Sequence, residues 1–189
     1  MTERRCGDCS LCCKLVPVAE IGKAANQRCE QQRTGKGCLV YHKSIFPRSC
    51  KVWSCVWLLN EAAEFLPRPD HAHYVIDSMP DYITVQAEDG TTGRLPVVQI
   101  WVDPQHRNAH RNPRLRAWIA RRAETHGQAA LIRYSSTDAI VLLPPFVTGE
   151  GWIEKTPQSD GKGDHTQADI AETYRQFRSK GNKDEHSQS

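Results

Sequence analysis

Eight cysteines crowd the first 55 residues of this 189-residue chain, and the residues that follow contain none. Cysteines used as small core residues would be scattered along a chain instead. In a reducing compartment, gathered thiols are typical of a metal site. The N-terminal residues MTERR lead straight into cysteines, which predicts no signal peptide and a cytoplasmic location. The predicted metal ligands are Cys6, Cys9, Cys12, Cys13, Cys29, Cys38, Cys50 and Cys55.

The densest part of this cluster is the segment CGDCSLCC at residues 6–13. Two cysteines three residues apart on a tight turn can both point at one ion, about 2.3 Å from each sulfur. Four thiols so close in sequence cannot easily enclose a tetrahedral ion alone, so we expect the later cysteines to complete the site. Turn-forming residues precede two of them, with Gly35 and Gly37 before Cys38 and Pro47 before Cys50.

The softness of thiolate ligands narrows the metal to zinc or iron. Two four-cysteine zinc sites, one iron–sulfur cluster with spare thiols, and one zinc with a redox pair all remain open. His42 could substitute for a cysteine, although a lone histidine at this spacing is more often a surface residue. Residues 1–60 carry ten Lys and Arg against four Asp and Glu. We expect cations near the cysteines to balance thiolate charge, namely Arg4, Arg5, Lys14, Lys36, Arg48 and Lys51.

A redox reading of the segment CGDC at residues 6–9 is less favoured than metal binding. A thioredoxin-like site needs a strand before this motif and a helix after it. Cys6 lies too near the start of the chain for that arrangement. Metal binding is therefore the prediction.

The ordered cysteine motifs resemble those of the YkgJ-type cysteine-cluster family, which is described as a zinc- or iron-chelating domain. The resemblance covers about residues 6–70 and implies that all eight cysteines are ligands. Phe46 stands where the family usually has an arginine before the proline. One branch resembles flagellin lysine methylases with an iron–sulfur cluster, but this chain is short for such an enzyme, so we do not transfer the activity. The matching motifs are CGDCSLCC at 6–13, GKGCLVY at 35–41, PRSC at 47–50, and Cys55 followed by Trp57 and Leu58.

The elements that must position these residues follow from the pattern of apolar residues. Helices are predicted over residues 20–28 and 56–65, and strands over 73–79 and 82–88 form a hairpin around Pro80 and Asp81. A strand at 97–102 and a helix capped by Asn112 and ended by Gly127 follow. Strands over 129–134 and 139–143 complete the order β-β-β-α-β-β. This order predicts an α+β fold in which an irregular cysteine-rich module packs on a small antiparallel sheet with one or two helices.

Three regions are predicted along the chain. Residues 1–69 form the cysteine-cluster module and residues 70–154 the antiparallel α+β portion. Residues 155–189 form a polar linker, an amphipathic helix and a disordered tail. With 39% apolar and 25% charged residues and no long apolar window, the composition is that of a globular protein without a membrane span.

Two further groups of residues could bind ligands. His71 and His73 would share a face at the start of a strand, but we favour two surface histidines. The arginine-rich stretch 107–122 could contact phosphate, but an amphipathic helix packed on the sheet explains it with fewer assumptions.

The predicted function is a cytoplasmic zinc- or iron-binding protein with a multi-cysteine metal site. The alternative is an iron–sulfur protein that acts as or with an enzyme, in electron transfer or protein modification. A nucleic-acid-binding zinc protein is less favoured, because a net charge of +3 is low for that class. The expected partner is a metal ion, and a protein partner remains open.

Overall fold

A computed structural model describes residues 4, 6–59, 65–86, 90 and 92–157. Most of its strands belong to one six-stranded sheet, and a separate two-stranded hairpin lies in the cysteine region. The hairpin strands are β1 (Gln32–Arg33) and β2 (Gly37–Cys38). The sheet strands are β3 (Tyr74–Ile76), β4 (Asp81–Gln86), β5 (Thr92–Val102), β6 (Ala129–Arg133), β7 (Ala139–Leu143) and β8 (Ile153–Lys155).

The helices are short except for one. That helix, α5, runs from Pro113 to His126 and follows a 3₁₀ segment over Pro104–Arg111. Another 3₁₀ turn lies at Ala19–Ile21. The remaining helices are α1 (Leu11–Leu15), α2 (Arg48–Val52), α3 (Val56–Leu59), α4 (Pro69–Ala72) and α6 (Pro145–Thr148).

The long strand β5 organises the sheet and corrects the predicted hairpin. β3 and β4 do not pair with each other as predicted, because both pair antiparallel with β5, one after the other along its length. β4 matches the first half of β5, from Thr92 to Val97, and β3 matches its end, from Ile100 to Val102. An eleven-residue strand is long enough to take two short partners on one side. The segment around Pro80 therefore joins two strands laid end to end.

The predicted α+β class is confirmed, with one correction to the sheet. Along the path β3-β5-β6-β7-β8, the pair β5–β6 is parallel, and the other pairs among the described strands are antiparallel. The parallel pair arises because α5 lies between these strands and returns the chain to the same end of the sheet. The sheet is thus mixed and mainly antiparallel.

Helix α5 agrees with its prediction at both ends. The Asn112 side chain accepts hydrogen bonds from the backbone N–H groups of Arg114 and Leu115, and Pro113 occupies the first turn. Gly127 ends the helix in the left-handed conformation at φ 60°. The predicted apolar face is buried, and its residues are Leu115, Trp118, Ile119 and Ala123.

Alternate residues of the strands divide the core between the two faces of the sheet. One face carries Val98, Ile100 and Ile132 and packs against α5. The opposite face carries Val75 and Trp101, which pack against residues of the cysteine region. The buried residues of the cysteine region that pack against this face are Cys9, Leu11 and Leu15.

Polar contacts also fasten the cysteine region to the edge of the sheet at β3. The Trp53 indole N–H donates to the Asp77 carboxylate at 2.7 Å, and Cys55 forms a β-bridge with Asp77. The Lys14 ammonium donates to Asp103 at 2.6 Å. These contacts cover an edge that would otherwise present unpaired backbone groups.

The predicted helix over residues 20–28 is wrong. The chain forms only the 3₁₀ turn Ala19–Ile21, which Gly22 ends at φ 64°. The predicted helix over 56–65 begins at Val56 as expected, and residues 60–64 lie outside the described part of the chain. The predicted linker, amphipathic helix and tail after residue 157 also lie outside it.

Arginines of the basic stretch contact other parts of the fold. Arg107 pairs with Asp138 at 2.7 Å, and Arg116 pairs with Glu154 at 3.2 Å. Arg122 donates to the Gln128 side chain at 2.9 Å. These contacts agree with a structural role for the stretch.

The cap of α5 supplies a first testable prediction. We expect Asn112→Ala to lower the free energy of unfolding by about 1 kcal/mol, because two helix N–H groups lose their acceptor. Asn112→Ser is the control, since serine caps helices well. Urea unfolding of the full chain measures both variants, and equal stability of Asn112→Ala and the unchanged chain would contradict the role given to this cap.

Candidate metal centre

The eight cysteines are presented by short elements and turns. Cys6 and Cys9 lie on the turn before α1, and the Cys9 backbone N–H donates to the Cys6 carbonyl at 2.9 Å. Cys12 and Cys13 belong to α1 itself. The later elements supply one cysteine each, with Cys29 in a loop, Cys38 in β2, Cys50 in α2 and Cys55 just before α3.

All eight cysteines line one cavity with a volume of about 780 Å³. A smaller space of about 20 Å³ lies beside it, and four of the same cysteines line it. We call these four the inner cysteines; they are Cys6, Cys9, Cys12 and Cys55. The structure thus brings together the whole set of predicted ligands, although none of them forms a disulfide.

The other four, which we call the outer cysteines, are Cys13, Cys29, Cys38 and Cys50. A backbone hydrogen bond of 3.0 Å from the Cys29 N–H to the Cys13 carbonyl joins two of them. The thiol of Cys50 lies close enough to the other three for their charges to raise its pKa. The outer cysteines therefore lie near one another, and two of them, Cys13 and Cys38, also lie close enough to the inner Cys6 to raise its pKa.

The sulfur atoms surround a space and do not meet at a point. Four thiolates on one tetrahedral zinc, each about 2.3 Å from it, would lie about 3.8 Å from one another. Among the described residues, no three cysteine sulfurs lie within 4.8 Å of each other. The arrangement is wider than a single tetrahedral ion requires.

Burial keeps several of these thiols protonated. Desolvation raises the pKa of Cys6 to about 12 and that of Cys50 to about 11, and neighbouring cysteines add to the shift. Cys13 differs, since a hydrogen bond from Cys12 lowers its pKa to about 7 despite burial. The same hydrogen bond, together with burial, raises the pKa of Cys12. Cys13 is therefore the thiol of this pair that ionises first.

Lys23 is a cation beside the outer cysteines that the sequence interpretation did not include. The residue is only 6% exposed, and its ammonium donates to the backbone carbonyls of Val16 and Ala24. Its charge helps to lower the pKa of Cys13. Nothing in the local pattern marks it, because the sequence predicts a helix over residues 20–28 and no cysteine adjoins Lys23 along the chain.

The expected compensating cations lie in several places. Lys51 lines the cysteine cavity, whereas Lys14 pairs with Asp103 and Arg4 donates to the Trp57 carbonyl at 2.6 Å. Arg5 lies outside the described residues. The positive charge near the cysteines is thus supplied partly by Lys23, which is not among the predicted cations.

The histidines singled out in the sequence take different positions. His42 lies exposed at the rim of the cysteine cavity. His71 lies in α4 with a side chain 72% exposed, so it does not share a strand face with His73 as the sequence suggested. His73 instead follows α4 in the left-handed conformation and stacks on His106.

Comparison with family models, curated proteins and solved structures finds no match to this chain. The likeness to the YkgJ-type family therefore stays a prediction based on the motifs. Within the described residues, no helix is both long enough and apolar enough to cross a bilayer.

Gly37 allows a close approach between two cysteine-bearing loops. It lies next to Cys38 at φ 73°, and a Cβ atom there would clash with the Gly7 carbonyl oxygen between Cys6 and Cys9. We expect Gly37→Ala to cost about 3 kcal/mol of unfolding free energy, from the strained backbone and the clash together.

Gly35→Ala is a matched control, because Gly35 also has a positive φ of 70° but has open space around its Cα. We expect it to cost only about 1 kcal/mol, from the backbone conformation alone. Urea unfolding compares the two variants. Equal losses would mean that the approach of the two loops does not contribute.

Proposed function

We propose that this chain is a metal-binding protein whose cysteine cavity holds zinc or iron through thiolate ligands. The observation that carries the proposal is that all eight cysteines, from separate loops and short helices, line the same cavity. Packing alone does not explain such a gathering, since thiols buried as small apolar residues have no reason to collect at one space. Binding of a metal ion would explain why the thiols lie around the same space.

The grouping of the cysteines supports two centres with four ligands each. The inner cysteines share the small space next to the sheet, where Val75 and Trp57 also lie. Burial lowers the pKa of Lys23, and the outer cysteines Cys13, Cys29 and Cys50 raise it, as does Cys12 of the inner cysteines. Cys12 and Cys13 are adjacent in α1, so this helix supplies one ligand to each group.

The wide spacing of the sulfurs favours a centre with several metal atoms over a lone ion. In a four-iron, four-sulfur cluster each thiolate binds its own iron atom, so the four cysteine sulfurs lie farther apart than around one zinc. A lone zinc would require sulfurs to move inward to about 3.8 Å from one another. We therefore place an iron–sulfur cluster ahead of isolated zinc ions.

This chain's own residues would prepare the cavity for its metal. Cys13, whose pKa is lowered to about 7, is partly ionised at neutral pH, and the Lys23 ammonium offsets part of the negative charge. The sheet side chains Val75 and Trp101 exclude water from the side of Cys9. An iron–sulfur cluster held there would supply one-electron transfer or a structural cross-link.

Metal content tests the proposal directly. We expect the full chain, purified without air, to carry iron with acid-labile sulfide and to absorb in the visible blue. A colourless protein with stoichiometric zinc would keep the metal-binding function and reject the cluster. Protein without either metal, although folded by circular dichroism, would overturn the proposal.

Substitutions test the division into two centres in the same experiment. We expect the pair Cys9→Ser with Cys55→Ser, or the pair Cys38→Ser with Cys50→Ser, to remove about half of the bound metal. Ser44→Ala is the control, because Ser44 lines the cavity without being a predicted ligand. Complete loss from either pair would instead indicate a single centre.

The raised pKa values of the thiols predict how binding depends on pH. Cys6 and Cys50 are protonated at neutral pH, since their pKa values are about 12 and 11, so metal must displace their protons. Affinity should therefore rise with pH, by about tenfold per pH unit for each proton released. Competition for Zn²⁺ with a chelator from about pH 6 to about pH 8 measures this slope, and a flat profile would contradict it.

A further inference from the structure

Three side chains outside the cysteine cavity bring metal-ligating atoms together. Ligand atoms of His73, Asp103 and His106 all lie within 4.8 Å of one another. The two imidazole rings are stacked, with centroids 3.6 Å apart and planes 6° from parallel. Bonds from imidazole to a metal lie in the plane of the ring, so one of the two parallel rings would turn about its side-chain bonds for both to bind one ion.

The backbone holds the three residues in one place. The Asp103 N–H donates to the His73 carbonyl at 2.9 Å, and the His106 N–H donates to the Asp103 carbonyl at 2.7 Å. His73 has the left-handed conformation at φ 60°, which is uncommon for a residue with a side chain. His106 interrupts the 3₁₀ segment with φ −128° and ψ 48°. Both histidines thus leave regular structure at the point where they meet.

The carboxylate is oriented and retains room for an ion. Asp103 is only 4% exposed. One of its oxygens accepts from the Lys14 ammonium at 2.6 Å, and the other accepts from the Gln105 backbone N–H at 3.1 Å. A carboxylate oxygen can accept two bonds, so each still has a free position. Such outer hydrogen bonds are usual for carboxylates that bind metals.

The other side of the cluster faces an open cavity. His73 and His106 line a cavity of about 600 Å³, which is separate from the one lined by the cysteines. Solvent or a small ligand can therefore reach an ion held by the three side chains. Sites that react with ligands keep coordination positions open in this way.

We propose that His73, Asp103 and His106 form a second metal site, which takes a divalent first-row transition ion. The two imidazole nitrogens and one carboxylate oxygen suit Zn²⁺ or Fe²⁺, and the remaining positions face the cavity. Nitrogen and oxygen ligands distinguish this site chemically from the thiolates. None of its ligands is a cysteine, so it can be tested whichever metal the cysteines hold.

Calorimetric titration of the full chain, purified without air, with Zn²⁺ tests this site. We expect the protein to bind one Zn²⁺ beyond its purified metal content, and His73→Asn and His106→Gln each to weaken that binding at least about tenfold. Asparagine is chosen because it tolerates the left-handed conformation of residue 73. His71→Gln is the control, since this nearby side chain is 72% exposed and lies outside the cluster.

Absorption spectra with Co²⁺ tell the two kinds of site apart. Cobalt held by nitrogen and oxygen gives weak visible bands, whereas cobalt held by thiolates gives intense charge-transfer bands. We expect the difference between the unchanged chain and the folded double variant, His73→Asn with His106→Gln, to contain only the weak bands. Equal metal binding by these two proteins, or a difference spectrum with thiolate bands, would overturn the proposal.

Discussion

The arrangement of the cysteine loops depends on one edge of the β-sheet. Most cysteines lie on turns and very short helices, which cannot hold a fixed geometry by themselves. Strand β3 provides the missing support, since Val75 packs against Leu15 and Cys55 forms a bridge with Asp77. The Trp53 indole adds a hydrogen bond to the same carboxylate. The cysteine region thus packs on the sheet, and contacts with the sheet fix the positions of its loops.

This support explains how buried thiols can share one space. Each thiolate taken out of water costs free energy unless a cation or a hydrogen bond compensates it. The Cys12 thiol donates a hydrogen bond to Cys13, which lowers the pKa of Cys13, and Lys23 contributes a positive charge near Cys13. Burial raises the pKa values of Cys6 and Cys50, which keeps these two thiols uncharged at neutral pH.

Elements with strong local signals were predictable from the sequence, and those set by distant pairing were not. Helix α5 has a capping asparagine, an early proline and a terminal glycine, so local residues predict where it begins and ends. The partner of β4 depends on the length of β5, which no residue within β4 reveals. The spacing of the cysteines marks them as a group, and the structure places them around one cavity.

Other parts of the sites carry no local pattern. The cation Lys23 approaches the outer cysteines through the turn at Gly22, and only the folded chain shows it. Strands β3, β4 and β5 lie between His73 and His106 in the sequence, and Asp103, just after β5, lies beside both histidines in the fold. Sequence spacing can suggest ligands that are neighbours along the chain, but not ligands that the sheet brings together.

Helix α1 has one further consequence. Its residues Cys12 and Cys13 face the thiol cavity, while Lys14, the next residue, reaches Asp103 in the histidine cluster. This single-turn helix therefore contacts both groups of candidate ligands. If ions bind at both places, a shift of α1 imposed at the thiols would also move the ammonium group that holds the Asp103 carboxylate. Linkage is reciprocal, so occupancy at the imidazoles would in turn bias the thiols by an equal free energy.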